Sequence, residues 1–455
     1  MRFPRDFAWG AAAASYQIEG GAFDDGKGLS VWDMFCRKEG VIWRGQTGDV
    51  ACDHYHRYKE DVSLMKELGL KAYRISISWP RIIPEGKGSV NGKGLNFYDR
   101  LVDELVSAGI DPWITLFHWD YPYELYCQGG WLNQDSSDWF AEYAKVIVEK
   151  LSDRVSHWMT LNEPQCFIGL GHQTGYHAPG DRLGFREVLR ATHNTLLAHG
   201  KATQVIRSFS KGKSEVGLAP VAKTAMPLAN SEEDIDSARK FMFSINRESV
   251  FNNTWWLEPI FWGRYPEDGL ALFKEKLPEI NDGDMETIHQ PLDFFGANIY
   301  NGTKVRAGKE GMPEEVPLED GYPKTAQEDW PVTPDALYWG PRLFYERYGL
   351  PIVITENGYQ NPDVISLDGK VHDPQRIDYL QRYLIELNRA CTEGIPVKGY
   401  FQWTFCDNFE WTQGFSMRVG MVYTDYPTQR RIPKDSAYWY RDVISSNGAT
   451  LEVGS

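Results

Sequence analysis

The chain has 455 residues, enough for two or three average domains or for one α/β barrel with long loops. With 42% hydrophobic and 24% charged residues it has the composition of a folded globular protein, which argues against disorder. A formal net charge of -15 argues against a nucleic-acid partner, because phosphate binding needs Lys and Arg clustered on one face.

The N-terminal Met1-Arg2-Phe3-Pro4-Arg5-Asp6 lacks the apolar run of a signal peptide, and no later window is apolar enough to span a bilayer. A cytoplasmic protein without membrane contact is therefore expected. Cys36, Cys52, Cys127, Cys166, Cys391 and Cys406 are scattered without paired spacing, which in such a chain predicts reduced thiols.

Short β-rich runs alternate with helical patterns from end to end. The runs are Phe7 to Ala12, Ala72 to Ser78, Pro112 to Phe117, His157 to Asn162, Val216 to Val221, Phe294 to Tyr300, Ile352 to Glu356 and Val397 to Thr404. Apolar residues recur at three and four over Tyr55 to Leu68, Gly94 to Ala108, Ser136 to Leu151 and Pro374 to Thr392, the spacing of helices that cover a parallel sheet. Eight such strands predict an α/β fold, a single (β/α)8 TIM barrel over residues 1–455, since neither an internal repeat nor a flexible linker divides the chain. Arg306 to Trp330, rich in Glu, Gly, Pro and Lys, reads as a long surface loop after the sixth strand and as part of a cleft wall. No coiled coil or dominant apolar helix face speaks for a particular oligomer.

In such a barrel the loops after the strands build the active site, so polar residues at strand C-termini are where chemistry is expected. The fourth strand ends in Thr160-Leu161-Asn162-Glu163-Pro164 and the seventh in Ile354-Thr355-Glu356-Asn357-Gly358. Packing does not explain a glutamate there, since the carboxylate must be solvated or paired. One such end could be an isolated rim ion pair, but two facing carboxylates are the equipment of glycoside hydrolysis. From the residues alone, retention and inversion of configuration both stay open, because the carboxylate spacing cannot be read from sequence.

These two strand ends resemble the acid/base and nucleophile motifs of glycoside hydrolase family 1, the β-glucosidase family. The segment Phe7-Ala8-Trp9-Gly10-Ala11-Ala12-Ala13-Ala14-Ser15-Tyr16-Gln17-Ile18-Glu19-Gly20 is similar to the family's N-terminal signature, as are Phe117-His118-Trp119-Asp120 and Asp407-Asn408-Phe409-Glu410-Trp411. The resemblance covers essentially the whole chain. It implies that Glu356 is the nucleophile and Glu163 the acid/base, that the reaction retains configuration, and that Arg74, Tyr300 and Asn298 support the nucleophile. A nucleophile must stay ionised, so a cation and hydrogen-bond donors are expected to hold the Glu356 pKa down. Glu163 must keep a proton, and the nearby anion is expected to raise its pKa.

By the same resemblance, Gln17, His118, Trp119, Asn162 and Glu410 bind the sugar, with Trp403 and Trp411 as the aromatic wall and Asn162 at the 2-hydroxyl. The aromatic load of 17 Trp, 24 Tyr and 22 Phe, 14% of the chain, suits packing against the C–H faces of sugars. Cys166, His177, Tyr123 and Trp330 fall in loops expected to line the leaving-group side. Family members that cleave phosphorylated disaccharides carry Ser, Lys and Tyr where this chain has Glu410, Met417 and Val419, so a free sugar is preferred, although Arg418 lies between the last two. Glu410 can accept from either 4-hydroxyl epimer, so tolerance of glucosides, galactosides and fucosides is expected, as is capture of the covalent intermediate by acceptor hydroxyls. A catalytically silent sugar-binding barrel is the reading from another class, and the presence of both carboxylates with Arg74 and Tyr300 speaks against it. No metal or cofactor is expected: His54 and His56 point to different helix faces without further ligands, and the spacing of Gly169-Leu170-Gly171 and Gly175 does not fit a dinucleotide loop. The expected partner is a small-molecule β-glycoside.

Overall fold

The computed structural model describes residues 1–327 and 330–452. Eight parallel strands form its centre: β1 Ala8–Ala13, β2 Ala72–Ser76, β3 Asp111–Phe117, β4 His157–Asn162, β5 Glu215–Ala219, β6 Phe295–Asn298, β7 Ile352–Asn357 and β8 Val397–Trp403. Their order in the sheet is β5-β4-β3-β2-β1-β8-β7-β6, the cyclic order of a (β/α)8 TIM barrel. β1 pairs with β8, Ala8 opposite Gly399 and Ala12 opposite Trp403, so the two ends of the chain meet in one ladder.

The seam between β5 and β6 is the irregular part. Pro220 has no N–H to give to a ladder, so the fifth strand stops at Ala219 and not at Val221 as its composition suggests. Isolated bonds close the seam: Asp293 N–H to Val216 O at 2.8 Å, Asn298 N–H to Pro220 O at 3.1 Å and Ala222 N–H to Asn298 O at 3.1 Å.

Helices His54–Glu67, Gly92–Ser107, Ser136–Leu151 and Pro374–Thr392 occupy the four predicted stretches, and a 25-residue helix, Phe185–Phe209, adds to the outer layer. Most residues of the barrel strands are buried, as expected when side chains fill the interior and helices cover the outside. None of the helices among the described residues is long and apolar enough to cross a membrane.

The stretch read as a loop after the sixth strand is partly ordered as sheet. Gly302–Ala307 pairs in parallel with Thr224–Pro227 and antiparallel with Pro313–Glu315, forming three strands outside the barrel. Of the six residues of Gly302–Ala307 only Val305 is fully buried, too little apolar alternation to be seen without its distant partner.

Behind the C-terminal ends of β7 and β8 lies a buried network of charge. Lys434 donates to Asp363 at 2.6 Å and to Asp407 at 2.7 Å, Arg376 to Asp363 at 2.8 Å and also to Asp373, and Arg418 to Asp407 at 3.1 Å. The side chains of Lys434, Asp363, Arg376 and Asp373 are wholly buried, so none can exchange its partner for water. Removing one ion from such a set strands the others, so Lys434→Met is expected to destabilise the fold by about 3–5 kcal/mol in a denaturant titration; a loss under about 1 kcal/mol would mean that the two aspartates are satisfied without it.

Candidate active site

Arg74 is the third residue of β2, and its side chain is 1% exposed inside the barrel. A buried guanidinium needs acceptors for its donors. Nε donates to Thr115 Oγ1 on β3 at 3.0 Å, Nη2 to Asn162 Oδ1 on β4 at 2.6 Å, and Nη1 to both Thr355 O at 3.0 Å and Glu356 Oε1 at 2.6 Å on β7. The Tyr300 hydroxyl donates to the other oxygen, Glu356 Oε2, at 2.7 Å. Tyr300 is itself held, its carbonyl accepting from the Tyr379 and Tyr383 hydroxyls, each at 2.9 Å.

The strand register puts Asn298 of β6 opposite Glu356 of β7. Its side chain can sit only one way round, because Oδ1 accepts from Thr355 Oγ1 at 2.6 Å while Nδ2 donates to Asn162 Oδ1 at 3.0 Å and Glu163 Oε1 at 2.9 Å. Asn162 is fixed by the same logic. With Oδ1 taken by Arg74 and Asn298, its Nδ2 must donate to His118 Nε2, at 3.0 Å. The proton of the neutral ring therefore lies on Nδ1, which has no partner among the described residues. Burial, and then the charge of Arg74, hold the His118 pKa well below the usual range, so the ring stays neutral.

Burial pushes the Glu163 pKa up to about 8, with the negative charge of Glu356 adding to it. Burial raises Glu356 too, and Arg74 and Tyr300 oppose the rise without cancelling it. The expectation of a depressed Glu356 is thus corrected: a carboxyl out of water starts from a raised pKa, and the cation offsets part of that. Arg74 bonds to Glu356 and not to Glu163, which favours the ionised form of Glu356 over that of Glu163. Tyr300, pushed well above its ordinary range by burial and by both glutamates, remains a donor.

Glu163, Trp119 and Trp411 have φ of 46°, 77° and 48°, a left-handed backbone that costs a non-glycine residue about 1–3 kcal/mol and that the surroundings must impose. Three of the groups that face the cleft are therefore held in place by the fold, not by local preference.

A cavity of about 430 Å³ opens over these groups. Its wall includes His118, Trp119, Glu163, Asn298, Tyr300, Glu356, Trp403, Glu410 and Trp411. Trp119 and Trp32 pack on Trp411 at 4.4 and 4.5 Å between ring centres, and His118 stacks on Trp403 at 5.7 Å. Gln17 lies beneath, donating to Phe409 O at 2.9 Å and Glu410 Oε2 at 3.4 Å, and its buried Oε1 has no partner among the described residues. Burial, and then the charges of Glu356 and Glu163, push the Glu410 pKa to about 8, so near neutral pH it can donate as well as accept. Hydroxyl-rich ligands match such an array of unpaired donors and acceptors against indole faces.

Of the leaving-group candidates, Cys166, His177 and Trp330 line the cavity. Tyr123 does not: it opens the short helix Tyr123–Cys127, and its ring lies against Tyr126 at 5.8 Å. Arg418 is taken up by Asp407, Thr424 O and the Tyr423 hydroxyl, and Val419 is buried, so neither faces the cavity wall. Sequence reading missed Thr115 and Thr355, which hold Arg74 and Asn298, as well as Lys223, Phe251, Gln327, Gln360 and Gln413 on the outer wall. The two threonines could have been found by asking which polar residues lie near the strand ends beside the glutamates.

Over residues 1–449 the sequence matches the family described as Glycosyl hydrolase family 1. It is 46% identical over 448 residues to Beta-glucosidase A of Thermotoga maritima, covering 98% of each chain. It is 46% identical over 450 residues to the 1,4-beta-D-glucan glucohydrolase of Thermotoga neapolitana, covering 99% of each. The fold superposes on the Beta-glucosidase from Thermotoga maritima in complex with glucoimidazole with a TM-score of 0.90 and 46% identity, over 98% of this chain and 99% of that one.

Two limbs in the pH dependence of turnover follow from this geometry. Activity is expected to fall as pH rises through about 8, where Glu163 loses its proton, and Glu163→Gln should abolish that limb. Tyr300→Phe removes a donor from the ionised form of Glu356, so the acidic limb should move to higher pH and kcat should fall by about 10²-fold. An acidic limb that stays in place in this variant would separate Tyr300 from the ionisation of Glu356.

Proposed function

The chain belongs to glycosyl hydrolase family 1 and is a β-glucosidase, and we propose that it removes terminal non-reducing β-D-glucosyl residues with retention of configuration. The substrates are cello-oligosaccharides or aryl and alkyl β-glucosides. The observation that supports retention is Asn298: the strand register sets it opposite Glu356, and its amide donates to Glu163 at 2.9 Å. Two carboxyl groups that both neighbour one asparagine fit the separation of about 5–5.5 Å used by retaining enzymes better than the roughly 6.5–9.5 Å that leaves room for water between them.

Glu163 gives its proton to the departing glycosidic oxygen while Glu356 attacks the anomeric carbon, forming a covalent glycosyl-enzyme. Once Glu356 is esterified its charge is gone, the Glu163 pKa falls, and Glu163 takes a proton from the incoming water. Asn162, held by Arg74 and Asn298, is assigned to the 2-hydroxyl, where a contact that tightens as the ring flattens contributes to rate and not only to affinity. Exo action is the reading given to Trp403, Glu410 and Trp411 in the cavity wall, with Gln17 beneath them donating to Glu410.

Glu410 can serve the 4-hydroxyl of either epimer, so β-galactosides and β-fucosides belong to the proposed range, and a sugar or alcohol hydroxyl that reaches the intermediate replaces water as acceptor. An unphosphorylated sugar is preferred, with a carboxylate at Glu410 and Arg418 tied to Asp407. Residues 1–455 are taken as one catalytic unit, and the six free thiols suit a reducing compartment such as the cytoplasm.

Purified protein is expected to release nitrophenol from a nitrophenyl β-glucoside, with proton NMR showing β-glucose before mutarotation. Glu356→Ala should reduce release by at least about 10⁴-fold. First-formed α-glucose would overturn retention, and strict selectivity across a panel of nitrophenyl glycosides would overturn the broad glycone range.

A further inference from the structure

The inner part of the cavity carries three carboxyl groups, Glu163, Glu356 and Glu410, and one internal cation, Arg74, already committed to Glu356. The outer part carries a cation of its own. Lys223 lies just beyond the end of β5, half-buried in the wall of the same cavity. Its backbone is clamped by a buried side chain: the Lys223 N–H donates to Asn253 Oδ1 at 3.1 Å, and Asn253 Nδ2 donates back to Lys223 O at 2.8 Å. Asn253 is 1% exposed and also donates to Met242 O at 3.0 Å, so the clamp is tied to the neighbouring helix.

The ammonium has little to balance it. Nζ lies 4.7 Å from the centre of the Phe241 ring, and among the described residues no carboxylate bonds to it. Burial, and then the like charge of Arg247, lower its pKa, while Glu315 opposes them only from a distance. A partly desolvated cation carried on a clamped backbone beside a leaving-group site is costly unless something anionic meets it. Around it Val221, Phe251, Leu170 and Trp330 offer apolar and aromatic surface. Without a cation here, an anionic leaving group would meet the ionised Glu356 and the net charge of -15 with nothing on the outer side to offset them.

We propose that Lys223 makes the outer cavity selective for β-glucosides whose leaving group is an aromatic ring bearing a carboxylate, with the ring against the Phe251 and Trp330 side and the carboxylate on the ammonium. This rests on the β-glucosidase reading and adds a leaving-group class to it. Lys223 takes no part in bond breaking, so its contribution is to binding and orientation.

The test compares the β-glucoside of 4-hydroxybenzoic acid with its methyl ester, which has the same ring and linkage without the charge. Lys223→Met is expected to lower kcat/KM for the acid by about tenfold, mainly through KM, and to leave the ester within about twofold. Lys223→Arg should keep the preference, and added salt should weaken it in the wild type. Equal losses on acid and ester would make Lys223 a structural residue, and no loss on either would leave it without a role in selection; both overturn the proposal. Wild-type protein that cleaves the ester and not the acid would also overturn it, with the β-glucosidase reading intact, whereas failure on both and on nitrophenyl β-glucoside would take down the two together.

Discussion

A guanidinium inside a barrel cannot shed its proton, so the strands around Arg74 have to answer its charge. They do so with one hydroxyl, one amide oxygen, one backbone carbonyl and one carboxylate, drawn from β3, β4 and β7. Each acceptor is then fixed in turn. Asn162, its oxygen claimed, can offer only its amino group to His118; Asn298, its oxygen claimed by Thr355, can offer only its amino group to Glu163. A chain of forced orientations thus runs from one buried cation to the Glu163 carboxyl and to the His118 ring. Such preorganisation removes the cost of turning dipoles during reaction.

The same cation sets how protons are divided. Burial alone would favour protonation of Glu163, Glu356 and Glu410 alike. Direct contact with Arg74 and Tyr300 distinguishes Glu356 from the other two. Identical side chains acquire different protonation preferences from their neighbours.

What could be read from sequence divides along physical lines. Glu163 and Glu356 stood out because each follows an apolar strand, where a carboxylate needs a reason. Thr115 and Thr355 did not, since threonine within a strand is what β propensity favours, and only the fold shows which hydroxyls meet Arg74 or Asn298. The barrel was legible from the alternation of elements. The small outer sheet was not, because Thr224–Pro227 finds its partner only when Gly302–Ala307 arrives from far along the chain. Tyr123 shows a further limit: its place after β3 suggested the cleft, but the helix it starts turns the ring toward Tyr126. Lys223 was missed for a related reason, since the side chain that clamps it, Asn253, stands 30 residues away in sequence.

The ladder joining β1 to β8 and the bonds from Lys434 to Asp407 have a consequence for how the molecule comes into being. A nascent chain leaving the ribosome carries Gln17 and Arg74 early, yet Ala8–Ala13 has no partner on its far side until Val397–Trp403 has been made. The loop that bears Glu410 and Trp411 lacks its buried counter-ion until Lys434 has followed. Synthesis therefore has to reach Val397–Trp403 and Lys434 before the pocket can close, and until then the half-built barrel exposes β1 as an edge strand, the stage at which a chaperone has most to protect.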